Sequence, residues 1–118
     1  GIESRGYIMG SILATRLGAG FVPVRKEGKL PAEVFKEEYE LEYGNAAIEI
    51  HKDAICEDDI VLVHDDLLAT GGTMEAARRL VEKNHPKAVY LNCIIELMEL
   101  AGRKAFPSDT EITSILQL

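Results

Sequence analysis

Two adjacent carboxylates, Asp65 and Asp66, stand just ahead of Thr70-Gly71-Gly72-Thr73. Ionised carboxylates only accept hydrogen bonds, so a neighbouring pair suits a vicinal diol such as a ribose. Gly71 and Gly72 let the main chain approach an anion closely, and Thr70 and Thr73 add hydroxyl donors. A helix opening at this point turns free N–H groups and a positive dipole end toward a phosphate. Phosphate and diol held one loop apart describe a ribose 5-phosphate. A bare TGGT is more often a plain turn between strand and helix, with Thr73 as the helix cap. The acid pair shifts that balance, because adjacent carboxylates repel and are seldom placed at a strand end without use. No GK[ST] follows the glycines, which excludes a Walker-type nucleotide loop.

The elements around this segment follow from periodicity. Ile60-Val61-Leu62-Val63 is a continuous apolar run that predicts a strand buried on both faces, with the acids at its carboxyl end. Met74, Ala77, Leu80 and Val81 predict an amphipathic helix, Ala88 to Ile95 a second buried strand, Leu97 to Ala105 a short helix and Ile112 to Leu116 a last strand. Nearer the start, Ile8, Ile12, Leu13 and Leu17 keep helical spacing over Gly6 to Leu17, and Gly18 and Gly20 stop it. Phe21 to Val24 reads as a strand, at a sheet edge or a strand end because Pro23 cannot donate. The polar stretch from Lys26 to Glu38 reads as a long mobile loop. Tyr39 to Tyr43 and Ile48 to Ile50 read as a two-stranded excursion about Gly44-Asn45. Strands alternating with helices imply an α/β domain whose parallel sheet is covered on both sides. A site then falls in the crevice at the carboxyl ends of the strands.

The 118 residues suffice for one domain, 1–118, with a single core. A net charge of −7 argues against nucleic acid and membrane surfaces as partners, since both are polyanions. No run approaches the roughly 20 apolar residues of a membrane span. Arg5, Arg16, Arg25, Lys26 and Lys29 nevertheless cluster in the first thirty residues against Glu3 and Glu27. Composition alone makes them a solvated face; a basic pocket for a small anion is the functional alternative. Cys56 and Cys93 are isolated, which argues against disulfides or zinc and for a reducing compartment, the cytoplasm. Met9, Met74 and Met98 read as core or helix residues.

The run VLVHDDLLATGGT resembles the phosphoribosyl pyrophosphate motif of the type I phosphoribosyltransferases, and DDLLATGGT is the form of their adenine-specific branch. GIESRGYIMG, VPVRKEGKLP, YELEYGNAAIEIHKDAI and IIELMELAGRKAF agree with that family in the same order, so the resemblance spans residues 1–118. It implies transfer of ribose 5-phosphate from phosphoribosyl pyrophosphate to adenine, giving AMP and pyrophosphate in purine salvage. By resemblance, Asp65 and Asp66 hold the ribose hydroxyls, and Mg²⁺ is carried mainly by substrate oxygens near them. Ala69, Thr70, Gly71, Gly72 and Thr73 take the 5-phosphate. Ser4 and Arg5, within Glu3 to Gly6, cradle the pyrophosphate. Arg25, Lys26 and Lys29 help neutralise it, Arg25 from across a homodimer interface. Glu42 assists proton transfer at the base, and Tyr43 belongs to the same lid. His64 replaces a residue that is usually apolar and is expected to pack.

The family carries an N-terminal hood over the adenine and a first core strand, of which only Gly1 and Ile2 are expected here. That arrangement predicts an open sheet edge and weak or absent turnover for the chain by itself. Transfer to another base, and a relative that binds phosphoribosyl pyrophosphate without transfer, are the alternative functions. Competition between bases separates the first, and the absence of pyrophosphate release the second.

Overall fold

Helical spacing from Ile8 to Leu17 winds into α1 (Gly6–Leu17), and Gly18 closes it in the left-handed region at φ 65°. The computed structural model describes residues 1–41 and 43–118. After α1 come the two-residue β1 (Arg25–Lys26), β2 (Val34–Glu40) and β3 (Asn45–His51). These form an antiparallel sheet in the order β1-β3-β2. The second half contains β4 (Ile60–Leu68), α2 (Gly72–Glu82), β5 (Ala88–Glu96) and β6 (Ile112–Gln117). Its strands form a parallel sheet in the order β4-β5-β6, with Val63 beside Leu91 and Leu91 beside Ile112. Two 3₁₀ turns, Met98–Leu100 and Gly102–Ala105, connect β5 to β6.

The two sheets meet through the first residues of the chain. Ile2 makes a parallel bridge to Val24 and donates its amide to the His64 carbonyl at 3.1 Å. Helix α2 packs on β2, β3, β4 and β5. Leu80, Ala76 and Ala77 are wholly buried in its apolar face, and Ile50, Leu91 and Cys93 complete the centre of the core. Helix α1 lies against β4 by a different device, since its only buried residues are Gly6 and Gly10. A β-carbon at Gly6 would come within 2.9 Å of the His64 carbonyl oxygen, so a bare glycine lets helix and strand approach.

The α/β expectation holds, with a parallel sheet and flanking helices, but several boundaries move. The loop expected from Lys26 to Glu38 ends at Glu33, because Val34–Glu40 pairs along its whole length with β3. Its charged residues find partners outside the strand: Glu37 accepts from Arg79 Nε at 3.0 Å and pairs with Lys83 at 3.2 Å, both from α2. Phe21 to Pro23 is not a strand; only Val24 bridges, with the strand proper at Arg25–Lys26. The run at Ile60 is not buried on both faces, for Ile60 and Leu62 are 65% and 39% exposed. Leu97 to Ala105 gives 3₁₀ turns in place of a helix, because Ala101 adopts φ 51° between them. Met9 and Met98 are exposed, and of the three methionines Met74 alone is core.

Leu80→Ala is expected to lower the unfolding free energy by about 3 kcal/mol, as for other buried leucines. Ile115→Ala, at a side chain 70% exposed, should cost less than about 0.5 kcal/mol. Urea unfolding of both variants checks the position of the core.

Candidate functional site

Strand β4 continues past its apolar run, so both acids lie inside it rather than beyond its end. Leu68 is its last residue, and Ala69, Thr70 and Gly71 turn the chain into α2. Gly71 caps that helix at φ 92° with no side chain bonded to the helix end. Thr73 is therefore not the cap but a first-turn residue. The first helical bond runs from the Glu75 amide to the Gly71 carbonyl at 2.9 Å. The amides before Glu75 have no carbonyl within the helix to meet. They point along the positive end of the helix dipole, an arrangement suited to a phosphate.

Arg5, Asp65, Asp66, Ala69, Thr70, Gly71, Gly72 and Thr73 line one open cavity of about 190 Å³. Arg5 reaches across it to Asp66, Nε to Oδ2 at 3.2 Å. With the Arg5 side chain 75% exposed, such a pair adds little stability and yields readily to a ligand. The two acids differ. Asp66 faces Arg5, whereas the Asp65 carboxylate accepts the Asp66 amide at 2.9 Å and lies behind Gly6. Burial, with the neighbouring Asp66 charge, pushes Asp65 up to about 7.

A second cluster adjoins the first through the turn Glu3-Ser4-Arg5, whose Glu3–Ser4 peptide is cis. Glu3 receives the Lys29 ammonium and the Lys26 amide, the latter at 2.7 Å, and Arg25 Nε lies 3.9 Å away. Lys29, with Arg25 and the Lys26 amide, holds the Glu3 carboxyl below its ordinary range although burial opposes. The structure thus brings together the predicted Arg5, Asp65, Asp66 and Ala69–Thr73, and sets Arg25, Lys26 and Lys29 around Glu3 beside them. Arg16 stays on the exposed end of α1. Ser4 is exposed in the turn. Tyr43 is 88% exposed and does not line the cavity. Glu42 lies outside the described residues.

Sequence reasoning missed Glu3 as the anion on which the basic residues converge. Its partners are more than twenty positions away in the chain, so no local spacing marks it. His64 packs as expected: it is 3% exposed, and its Nδ1 meets Asn92 Oδ1 at 2.9 Å. Among the described residues no three His, Cys, Asp or Glu side chains converge as a metal cage. The oxygen donors of Asp65 and Asp66 suit a hard cation shared with a ligand.

The family model for the phosphoribosyl transferase domain matches residues 1–116. An adenine phosphoribosyltransferase of Bacteroides fragilis is 64% identical over 120 residues, covering 100% of this chain and 67% of the relative. The crystal structure of adenine phosphoribosyltransferase from Rhodothermus marinus matches with a TM-score of 0.95 at 54% identity, over 100% of this chain and 67% of that one. The Giardia lamblia enzyme, solved with 9-deazaadenine, matches at 0.94 and 43% identity over the same shares. The chain therefore spans about two thirds of the length of these relatives.

Asp65 supplies a test of the site's electrostatics. An acid whose folded pKa is raised holds its proton longer when folded than when unfolded. Its stabilising contribution is complete below its ordinary 3.8 and is lost as pH rises through about 7. Asp65→Asn removes that loss. At pH 8 the variant is expected to be more stable than the parent by on the order of 1–2 kcal/mol, a partial value because the carboxyl keeps some solvent. The advantage should shrink toward pH 4, as followed by urea unfolding across pH.

Proposed function

The chain belongs to the phosphoribosyl transferase domain family, and from that premise we propose that its cavity takes phosphoribosyl pyrophosphate and passes the ribose 5-phosphate to adenine. The products are AMP and pyrophosphate, a pentosyl transfer that recovers the base. The observation that carries this reading is the joining of three chemistries in one cavity: helix-end amides, paired carboxylates and a guanidinium.

Each group has a part in the reaction. The amides after Gly71 and the hydroxyls of Thr70 and Thr73 hold the 5-phosphate, which fixes the sugar. Asp65 and Asp66 accept hydrogen bonds from the ribose hydroxyls. As the bond from C1 to pyrophosphate breaks, positive charge grows on the ribose and negative charge on the leaving oxygens. Arg5 stands where it can meet that negative charge, with Ser4 beside it. Lys29, released from Glu3, and the Lys26 side chain add to it. Asp65 and Asp66 are the residues that would help hold a substrate-borne Mg²⁺, which would supply further neutralisation of the leaving group. The resemblance assigns Glu42 to proton transfer at the imidazole nitrogen of adenine and Tyr43 to the lid over it.

The same reading includes a homodimer, with Arg25 serving the neighbouring site. Its support is the apolar surface of α1, where Ile8, Ile12 and Leu17 are 65%, 47% and 67% exposed. It also places the protein in the cytoplasm, with Cys56 and Cys93 kept as the free thiols they are here. No described helix is long and apolar enough to cross a membrane.

The test is adenine-dependent release of pyrophosphate from phosphoribosyl pyrophosphate and Mg²⁺. Asp65→Asn combined with Asp66→Asn is expected to lower kcat/KM at least about 100-fold, or ~2.7 kcal/mol of transition-state stabilisation. Chelation of Mg²⁺ should abolish release, and guanine or hypoxanthine should not replace adenine. Equal release with several bases, or from the double variant, overturns the reading.

A further inference from the structure

The loop from Ala69 to Thr73 rests on a wall of main chain. A β-carbon on Gly71 would lie 2.5 Å from the Gly102 carbonyl oxygen and 2.9 Å from Ala105 Cβ. One on Gly102 would run into the Ala69 carbonyl and the Leu68 side chain. Two glycines therefore let the phosphate loop and the Gly102–Ala105 turn touch backbone to backbone. At φ 92° Gly71 also occupies a region that side chains disfavour. The position of that turn fixes the rear of the loop.

The turn is itself held by a fork. Arg103 Nε donates to Glu96 Oε2 at 2.8 Å, and Nη2 donates to Oε1 at 2.9 Å. Its Nη1 donates to the Ile112 carbonyl at 3.0 Å, and the Ser114 hydroxyl donates to Glu96 Oε1 at 2.8 Å. Glu96 is 3% exposed. It ends β5 in register with Leu68, the last residue of β4 before the loop, and the Leu97 amide donates to the Leu68 carbonyl at 3.0 Å. The fork and the Ser114 hydroxyl hold the Glu96 carboxyl down at about 2 although burial opposes. Glu96 is the buried partner, whereas the Arg103 side chain is 44% exposed, and an ion pair open to solvent on one side adds little stability by itself. A bidentate fork fixes geometry.

We propose that Arg103, clamped on Glu96, is a positioning residue for the phosphate loop, holding Gly102 against Ala69 and Gly71 and so setting the spacing of the amides that take the 5-phosphate. The inference rests on the ribose 5-phosphate reading above. Arg103 is not among the residues lining the cavity; it acts through the main chain of Gly102. The whole clamp is drawn from β5, β6 and the turn between them, none of whose residues line the cavity.

The experiment titrates the chain with ribose 5-phosphate and follows the amide resonances of Thr70 to Thr73. Arg103→Met keeps the aliphatic stem but removes the fork, and is expected to weaken binding about tenfold, the usual order for a group that supports ligating residues from behind. Arg103→Lys, which restores the charge and one donor, should recover part of that loss. A pair that is only structural would lower the unfolding temperature of Arg103→Met and leave its affinity within about twofold of the parent, and that result overturns the proposal. Amide exchange gives a readout that needs no ligand. The Glu75 amide, bonded to the Gly71 carbonyl, should exchange about tenfold faster in Arg103→Met while Val63 and Leu91 in the central ladder keep the parent rates. Uniform acceleration, or none, contradicts the clamp. If the parent does not bind ribose 5-phosphate, the ligand reading fails, and the exchange comparison alone decides the role of Arg103.

Discussion

Ile2 donates its amide to the His64 carbonyl at 3.1 Å, Glu3 donates to the Val24 carbonyl at 2.9 Å, and Val24 returns a bond to the Gly1 carbonyl at 2.9 Å. These three bonds are the seam between an antiparallel sheet and a parallel one, and the site depends on them. Because Ile2 lies between Val24 and His64, the turn at Glu3-Ser4-Arg5 emerges beside Asp65 and Asp66. The basic strand Arg25–Lys26 emerges on the other side of the same turn. The contact demands very small residues, which is why Gly6 and Gly10 are the buried positions of α1. Ile2 is 1% exposed, so its own bond to the His64 carbonyl is shielded from water. Two segments far apart in the chain thereby line one cavity, the turn at Arg5 and the stretch from Asp65 to Thr73, with the basic strand beside them.

Most of the charges around the cavity pair with one another. Arg5 answers Asp66, and Lys29, the Lys26 amide and Arg25 gather on Glu3. On the proposed reading, a polyphosphate would draw Arg5 and Lys29 to itself, and a sugar diol would donate to the carboxylates. On that reading, binding would exchange the present ion pairs of Arg5 and Lys29 for pairs with the ligand. The half-exposed Lys29 and exposed Arg5 lose little on leaving their present partners. Asp65 differs, because burial makes its charge costly in the free protein. A hydrogen-bonding diol and a nearby cation would favour its ionised form.

The unit from Ile60 to Glu82 was legible in the sequence because its evidence is local. An apolar run, paired acids, two glycines and a 3.6-residue period fall in one continuous stretch. The acids proved to sit within the strand, a difference of boundary that leaves their direction intact. Strand β2 was not legible from Val34 to Glu38. Lys36, Glu37 and Glu38 read as loop, and what makes them strand is pairing with β3 and the Arg79 and Lys83 side chains of α2. The Leu97–Ala105 segment has helical spacing, but Ala101 breaks it with a left-handed residue that no propensity marks. The basic residues of the first thirty were visible as a group. Their focus on Glu3 was not, since it arises from the seam at Ile2 and Val24.

The central claim is that the turn at Arg5 and the loop at Thr70 to Thr73 hold opposite ends of one molecule. Titration of the isotopically labelled chain with phosphoribosyl pyrophosphate and Mg²⁺ tests it most directly, reading the amides of Arg5, Gly6, Thr70, Gly71, Gly72 and Thr73 together. The account predicts that both groups of resonances shift along one binding curve with a single Kd. Movement of the phosphate loop alone, or two groups saturating at separate concentrations, would contradict a shared ligand and with it the assignment of Arg5 to the leaving pyrophosphate.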